Sequence, residues 1–181
     1  PDGTVLGDNT DGEGLVHDLQ RLWGSLDGKR ILLIGAGGAT RGVILPLLTA
    51  NVSSIHIANR TASKAHGLAA MFEGEGKVSS SGFDDLPEVT FDGIINCTSS
   101  SLNGDLPQIS AKIFSNAVFA YDMTYKAQQT SFMQWAKKHN AEIEVSDGLG
   151  MLVGQAAESF YLWRHVRPQI EPVIQTVRAM L

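Results

Sequence analysis

ILLIGAGGATRG, residues 31–42, is the stretch on which the fold of this chain turns. Four aliphatic residues, Ile31, Leu32, Leu33 and Ile34, run into Gly35, Gly37 and Gly38, and then into a second apolar run over residues 43–48. A parallel strand covered on both faces reads as unbroken aliphatic sequence. Glycines just after it let backbone N–H groups approach a ligand closely, and the start of the next helix offers unpaired N–H donors that suit a phosphate. Strand, glycine turn and helix start make Gly35, Ala36, Gly37, Gly38 and Ala39 the candidate cradle for a pyrophosphate. The dinucleotide spacing G-x-G-x-x-G asks for glycine at position 40, but Thr40 stands there and the next glycine is Gly42. A tight turn with no ligand is the competing reading of this segment alone.

Working outward, residues 14–23 carry Leu15, Val16, Leu19, Leu22 and Trp23 at helical spacing and predict an amphipathic helix. Pro46 falls in the helical run after the glycine turn, where it should kink the helix or sit within a turn of its start. SIHIA (54–58) reads as a second strand and residues 61–72 as a second helix, completing a β-α-β unit. Further strands are expected over 77–80, 93–98, 117–123 and 142–146, with a helix over 131–139. Strands alternating with helices imply an α/β fold, a doubly wound Rossmann-type parallel sheet with helices on both faces. After DGLG (147–150) the pattern changes to two helical segments, 151–165 and 171–181, with no strand following. Val173, Ile174, Val177, Met180 and Leu181 give the last one an apolar stripe that needs a covering surface.

Composition narrows the function classes. A formal charge of −5 argues against a phosphate-backbone binder, so no nucleic-acid partner is expected. No apolar run reaches the roughly 20 residues of a membrane helix, so no membrane partner is expected either. Cys97 is the single cysteine; it excludes an internal disulfide, fits a cytoplasmic location, and at the end of a strand reads as packing before chemistry. His17, His56, His66, His139 and His165 do not cluster, and no metal-ligand spacing is visible.

The end of the second strand is where Rossmann sites distinguish their cofactors: an acid there bonds the ribose hydroxyls of NAD, a base accommodates the 2′-phosphate of NADP. Here the position holds Asn59, Arg60 and Thr61, with no acid, and Lys64 follows one helical turn on. Arg60 is the candidate phosphate contact, against the reading of a solvated loop arginine; Arg41 is a second. Polar residues also gather where parallel strands end: Thr98 and Ser99, residues 123–125, and Gly148. Asp11, just before the first helix, reads as an N-cap or as a carboxylate for acid–base work.

Taken together, GDNTDG (7–12), GAGGATRG (35–42), NRT (59–61), INCTS (95–99), YDMTY (121–125) and DGLGMLVGQAA (147–157) occur in the order found in shikimate dehydrogenases, and the chain resembles that family along essentially its whole length. The resemblance implies NADPH-dependent reduction of 3-dehydroshikimate to shikimate, a step of aromatic amino acid (chorismate) biosynthesis. It implies that Asp11 is the aspartate of a catalytic lysine–aspartate pair. It implies that Asn59, Arg60 and Thr61 meet the adenosine 2′-phosphate region, and that Met123 and Gly148 lie at the nicotinamide. Gln155 would bond a substrate hydroxyl and Tyr125 would line the same pocket. It also implies that the lysine and most substrate contacts belong to an N-terminal domain upstream of the NTDG motif. Residues 1–12 would then be the tail of that domain, 13–149 the NADP-binding domain, and 150–181 helices returning to the substrate domain. On that expectation the chain alone is inactive. A quinate/shikimate dehydrogenase of broader cofactor use, or a non-catalytic nucleotide-binding module, would share many of these motifs. Oligomeric state is not legible.

Overall fold

The computed structural model describes residues 3–5 and 7–181; Pro1, Asp2 and Leu6, on which part of the expected 1–12 tail falls, lie outside the described residues. Its centre is a six-stranded parallel sheet: β1 (Arg30–Ile34), β2 (Ser54–Ala58), β3 (Val78–Ser81), β4 (Gly93–Asn96), β5 (Phe119–Asp122) and β6 (Glu144–Asp147). The spatial order is β3-β2-β1-β4-β5-β6, the doubly wound order, with the switch point between β1 and β4. Strand β1 pairs with β2 on one side, Ile34 opposite Ala58, and with β4 on the other, Ile34 opposite Asn96. Three strand ends therefore stop level, and the glycine turn leaves the sheet at the switch point.

Alternate side chains of β1 feed two cores, because successive Cβ atoms point to opposite faces. Ile31 and Leu33 pack with Leu15, Leu19, Val43 and Ile57 on one face; Leu32 and Ile34 pack with Phe114, Phe132 and Ala136 on the other. All four aliphatic residues of β1 are fully buried, each contributing about 1.5–3 kcal/mol relative to an exposed position. The helices are α1 (Asp11–Trp23), α2 (Gly38–Thr49), α3 (Ala62–Ala70), α4 (Ser131–His139), α5 (Leu149–Arg164) and α6 (Glu171–Met180). Trp23, at the end of α1, stacks on Phe119 of β5 with ring centroids 4.3 Å apart.

The alternation of strands with helices is incomplete. β3 reaches β4 through the irregular stretch 82–92, and β4 reaches β5 through two 3₁₀ turns, Ser100–Asn103 and Ala111–Phe114. Pro87 and Pro107 stand in these connections and interrupt any helical ladder. Of the two placements expected for Pro46, the structure shows the one inside the helix and not the one within a turn of its start. It lies deep inside α2, eight residues past the start, where it cannot donate to the carbonyl of Gly42. That carbonyl faces Gly12 of α1: a Cβ on Gly12 would lie 2.6 Å from it.

His56 is buried in β2 with both ring nitrogens on hydroxyls, 2.8 Å from Ser79 Oγ and 2.9 Å from Ser81 Oγ of β3. Burial pushes its pKa down from 6.5 to about 4. The folded state thus disfavours the charged ring, so this stability is present above pH 6.5 and is lost as pH falls toward 4. Going from neutral pH to about pH 5 is expected to cost about 2 kcal/mol through this residue. Denaturant titrations of the parent and of His56→Gln at both pH values check it: the variant should lack that increment, and an identical pH dependence would exclude His56 as its source.

No helix among the described residues is long and apolar enough to cross a membrane.

Candidate functional site

The glycine turn is held open by its own side chains. Gly35 has φ +110°, a conformation L side chains rarely adopt, and a Cβ there would lie 3.0 Å from Thr98 Cγ2. Its N–H donates to the Ala58 carbonyl, which extends the β1 ladder one residue into the turn. Thr40, at the position where the usual spacing has glycine, is fully buried, and its Oγ1 donates to the Gly35 carbonyl at 3.0 Å. The hydroxyl closes the turn, which explains the irregular spacing. Gly42 faces Asn9 and Gly12 and serves the contact between α1 and α2, not the cradle. Gly37 caps α2 in an extended conformation, and a Cβ on Gly37 or Gly38 would meet nothing within 4 Å. The start of this twelve-residue helix is thus uncrowded at Gly37 and Gly38, and a helix N-terminus suits a pyrophosphate by its unpaired N–H groups and its dipole.

Arg60 leaves the end of β2 into a cavity of about 510 Å³ whose lining includes Asn59, Thr98, Ser99, Asn103 and Asp105. Asn59 Nδ2 donates to the Thr61 carbonyl at 2.9 Å and so shapes the turn that presents Arg60. Thr61 is the N-cap residue of α3 and Lys64 lies exposed in its first turn, outside this lining. Arg41 is elsewhere: it lines a separate cavity of about 530 Å³ with Asp8, Asn9, Asp11, Glu13 and Gly38. Arg60 and Arg41 therefore line different cavities, and Asp11 shares that of Arg41.

Asp11 is the first residue of α1 and not its N-cap, which corrects the capping reading: Thr10 holds the cap position. The Asp11 N–H is satisfied by Asn9 Oδ1 at 3.1 Å. Its half-buried side chain sits in the first turn of the helix. Gln155 lies on α5, its Nε2 donating to the Leu152 carbonyl at 3.0 Å. Thr10 bonds the Gln155 carbonyl at 2.9 Å, so the segment bearing Asp11 and the helix bearing Gln155 are joined. Tyr125 stands apart from them on the exposed loop after β5.

The third wall is built from residues that the sequence did not single out. Asn96 and Asp122, the last residues of β4 and β5, are fully buried and bonded to each other, Nδ2 to Oδ1 at 3.1 Å. Asn96 Oδ1 accepts from the Thr98 N–H and hydroxyl at 3.2 and 2.7 Å, and Asp122 Oδ1 accepts from the Thr124 N–H at 3.1 Å. One buried pair thus orients the loops that carry Thr98 and Tyr125. Asp122 Oδ2 has no hydrogen-bond partner among the described residues, and burial raises this carboxyl above its ordinary range. Asp147, at the end of β6, caps Leu149 of α5 and receives Arg178 of α6 through both guanidinium nitrogens. Gly148 follows with its N–H on the Thr124 carbonyl, and a Cβ there would overlap the Met123 carbonyl. Met123 and Gly148 are therefore in backbone contact at the end of β5. Cys97 is a packing residue: burial pushes its thiol up to about 12. Among the described residues, no group of three or more His, Cys, Asp or Glu is placed to hold a metal ion.

Residues 18–107 match the model of the shikimate / quinate 5-dehydrogenases, and residues 148–178 that of the shikimate 5′-dehydrogenase C-terminal domain. A shikimate dehydrogenase (NADP(+)) of Pseudoalteromonas atlantica is 71% identical over 180 residues, which cover 99% of this chain and 66% of the relative. Among solved structures, an Ael1 enzyme from Pseudomonas putida superposes with a TM-score of 0.89 at 40% identity, covering 97% of this chain and 65% of that one. A shikimate dehydrogenase in complex with NADP+ superposes with a TM-score of 0.78 at 35% identity, covering 99% and 63%. The chain spans about two thirds of the length of these relatives.

Proposed function

We propose, from the premise that this chain belongs to the shikimate/quinate 5-dehydrogenase family, that it is the NADP-binding part of an enzyme reducing 3-dehydroshikimate to shikimate. The observation that carries the cofactor assignment is Arg60 in a cavity of about 510 Å³ at the end of β2, with no acid at positions 59–61. A guanidinium there meets a 2′-phosphate and leaves a free ribose hydroxyl without its usual acceptor. The open cradle of Gly37 and Gly38 holds the pyrophosphate, with Gly35, Ala36 and Ala39 shaping it. Arg41, Thr61 and Lys64 add positive or polar contacts at its margins. Thr98, Met123 and Gly148 bound the nicotinamide end. Bound NADPH supplies a hydride to the carbonyl carbon of the substrate.

The remaining chemistry is proton transfer to the carbonyl oxygen as charge develops on it. Asp11 serves this step together with a lysine from the part of the relatives' length that these residues do not span. The half-buried carboxylate in the first turn of α1 pairs with that lysine and aims it. Gln155 bonds a hydroxyl of the substrate, and Tyr125 closes the pocket from the β5 loop. Residues 13–149 make the cofactor domain, and residues 150–181 return toward the part of the enzyme that supplies the other substrate contacts. The exposed Trp163, Val166, Val173 and Met180 belong to that returning face. The test compares the full-length protein with this chain alone in NADPH oxidation by 3-dehydroshikimate. Turnover by the full-length protein and almost none by the chain are expected. Turnover of the chain near that of the full-length protein would show that no further residues are needed.

A further inference from the structure

Thr10 occupies the N-cap position of α1, with φ −111° and ψ 10°, yet its hydroxyl makes no capping bond. A threonine used as a cap contributes about 1 kcal/mol to its helix. Here the side chain turns outward to α5 instead. Its Oγ1 lies 2.9 Å from the Gln155 carbonyl oxygen, 2.9 Å from Ser159 Oγ and 3.5 Å from Gln155 Oε1. A hydroxyl has one proton to give. With that proton on the Gln155 carbonyl, Ser159 donates to Thr10, and the two hydroxyls form a directed chain between the helices.

The backbones are already in contact at this crossing. A Cβ on Gly14 would lie 2.6 Å from the Gln155 nitrogen, and one on Gly154 would lie 3.1 Å from the Gly14 carbonyl oxygen. Such contacts fix how far apart α1 and α5 are, but they are nondirectional and resist sliding or rotation weakly. Further along, Tyr121 Oη links the helices directionally, donating to Asp18 Oδ2 at 2.7 Å and accepting from the Met151 N–H at 3.3 Å; the hydroxyl chain adds a second directional link, at the turn that begins with Asp11. We infer that Thr10, with Ser159, is a positioning residue that sets the Asp11 carboxylate relative to the Gln155 amide. This rests on the proposed roles of those two residues, and it explains why the cap is forgone: the bond that would stabilise α1 locally is used to register two parts of one site.

The test uses the full-length protein, with Thr10→Val, Thr10→Ser and Ser159→Ala. A displacement of about 1 Å at a reacting group is enough for a large rate loss. Thr10→Val is expected to lower kcat about tenfold and to raise KM for 3-dehydroshikimate, with NADPH affinity unchanged. Thr10→Ser should restore both constants, and Thr10→Val combined with Ser159→Ala should be no worse than Thr10→Val, because the two hydroxyls act as one unit. A Thr10→Val protein with both constants near the parent's overturns the inference. So does a Thr10→Ser protein as impaired as Thr10→Val, or a loss of NADPH affinity as large as the loss of turnover. If Thr10→Val does not fold, Ser159→Ala decides: a fall in kcat at unchanged thermal midpoint supports the role, and parental kcat overturns it. An inactive parent overturns the functional reading itself, whereas an active parent with unaffected variants overturns the role of Thr10 alone.

Discussion

Asp11→Asn in the full-length protein is expected to lower kcat by about 10²–10⁴-fold, the contribution of a positioned acid–base group. The substitution keeps the shape of the side chain and the backbone bond from the Asp11 N–H to Asn9 Oδ1, so the start of α1 stays in place. Losing a carboxylate at a helix N-terminus costs stability only on the order of 0.3–1 kcal/mol. What disappears, on the proposed role, is the carboxylate that pairs with the catalytic lysine and aims it. NADPH affinity should change far less than kcat, because Asp11 lies outside the Arg60 cavity. Steady-state kinetics with a separate cofactor titration decides it. A kcat within about threefold of the parent's, far short of what acid–base groups supply, would return Asp11 to a structural role at the helix start.

The second large effect concerns the cofactor. Arg60→Asp is expected to weaken NADPH binding at least about tenfold, because a charge-assisted contact of roughly 1.5–3 kcal/mol is replaced by repulsion. NADH lacks the 2′-phosphate and should lose far less. Asp105 shares the lining of that cavity, and without the guanidinium it adds a second negative charge facing the phosphate. Fluorescence titration of both cofactors against parent and variant measures the difference. Equal losses for NADPH and NADH would mean that Arg60 shapes the pocket without reading the phosphate.

The parts of this fold legible in the sequence are those in which one segment carries its own signal. Ile31 to Ile34 gave an unbroken aliphatic strand, and SIHIA and residues 131–139 matched β2 and α4 residue for residue. Glycines and charge at strand ends pointed to the cradle and to Arg60 for the same reason: turn chemistry and cofactor discrimination are local. Contacts made between distant residues were not legible. Asn96 bonds Asp122 across 26 positions, and Arg178 reaches Asp147 across 31; nothing in either segment announces its partner. Thr40 carried a signal that reads only in three dimensions, since a threonine in place of glycine becomes meaningful once its hydroxyl is seen on the Gly35 carbonyl. Asp11 moved from cap to first helical residue because the helix begins three residues before its apolar pattern, where Gly12 and Gly14 give no periodicity but allow the close approach of α2 and α5. Arg41 was grouped with Arg60 by charge, and the path of the chain through the glycine turn separates them.

The central claim, that this chain binds NADP for a shikimate dehydrogenase, is tested most directly by one assay. The full-length protein is given 3-dehydroshikimate with NADPH or with NADH, and kcat/KM is measured for each cofactor. NADPH favoured by at least about tenfold is the result predicted from the Arg60 contact. Reduction with equal efficiency from both cofactors, or no reduction from either, would contradict it.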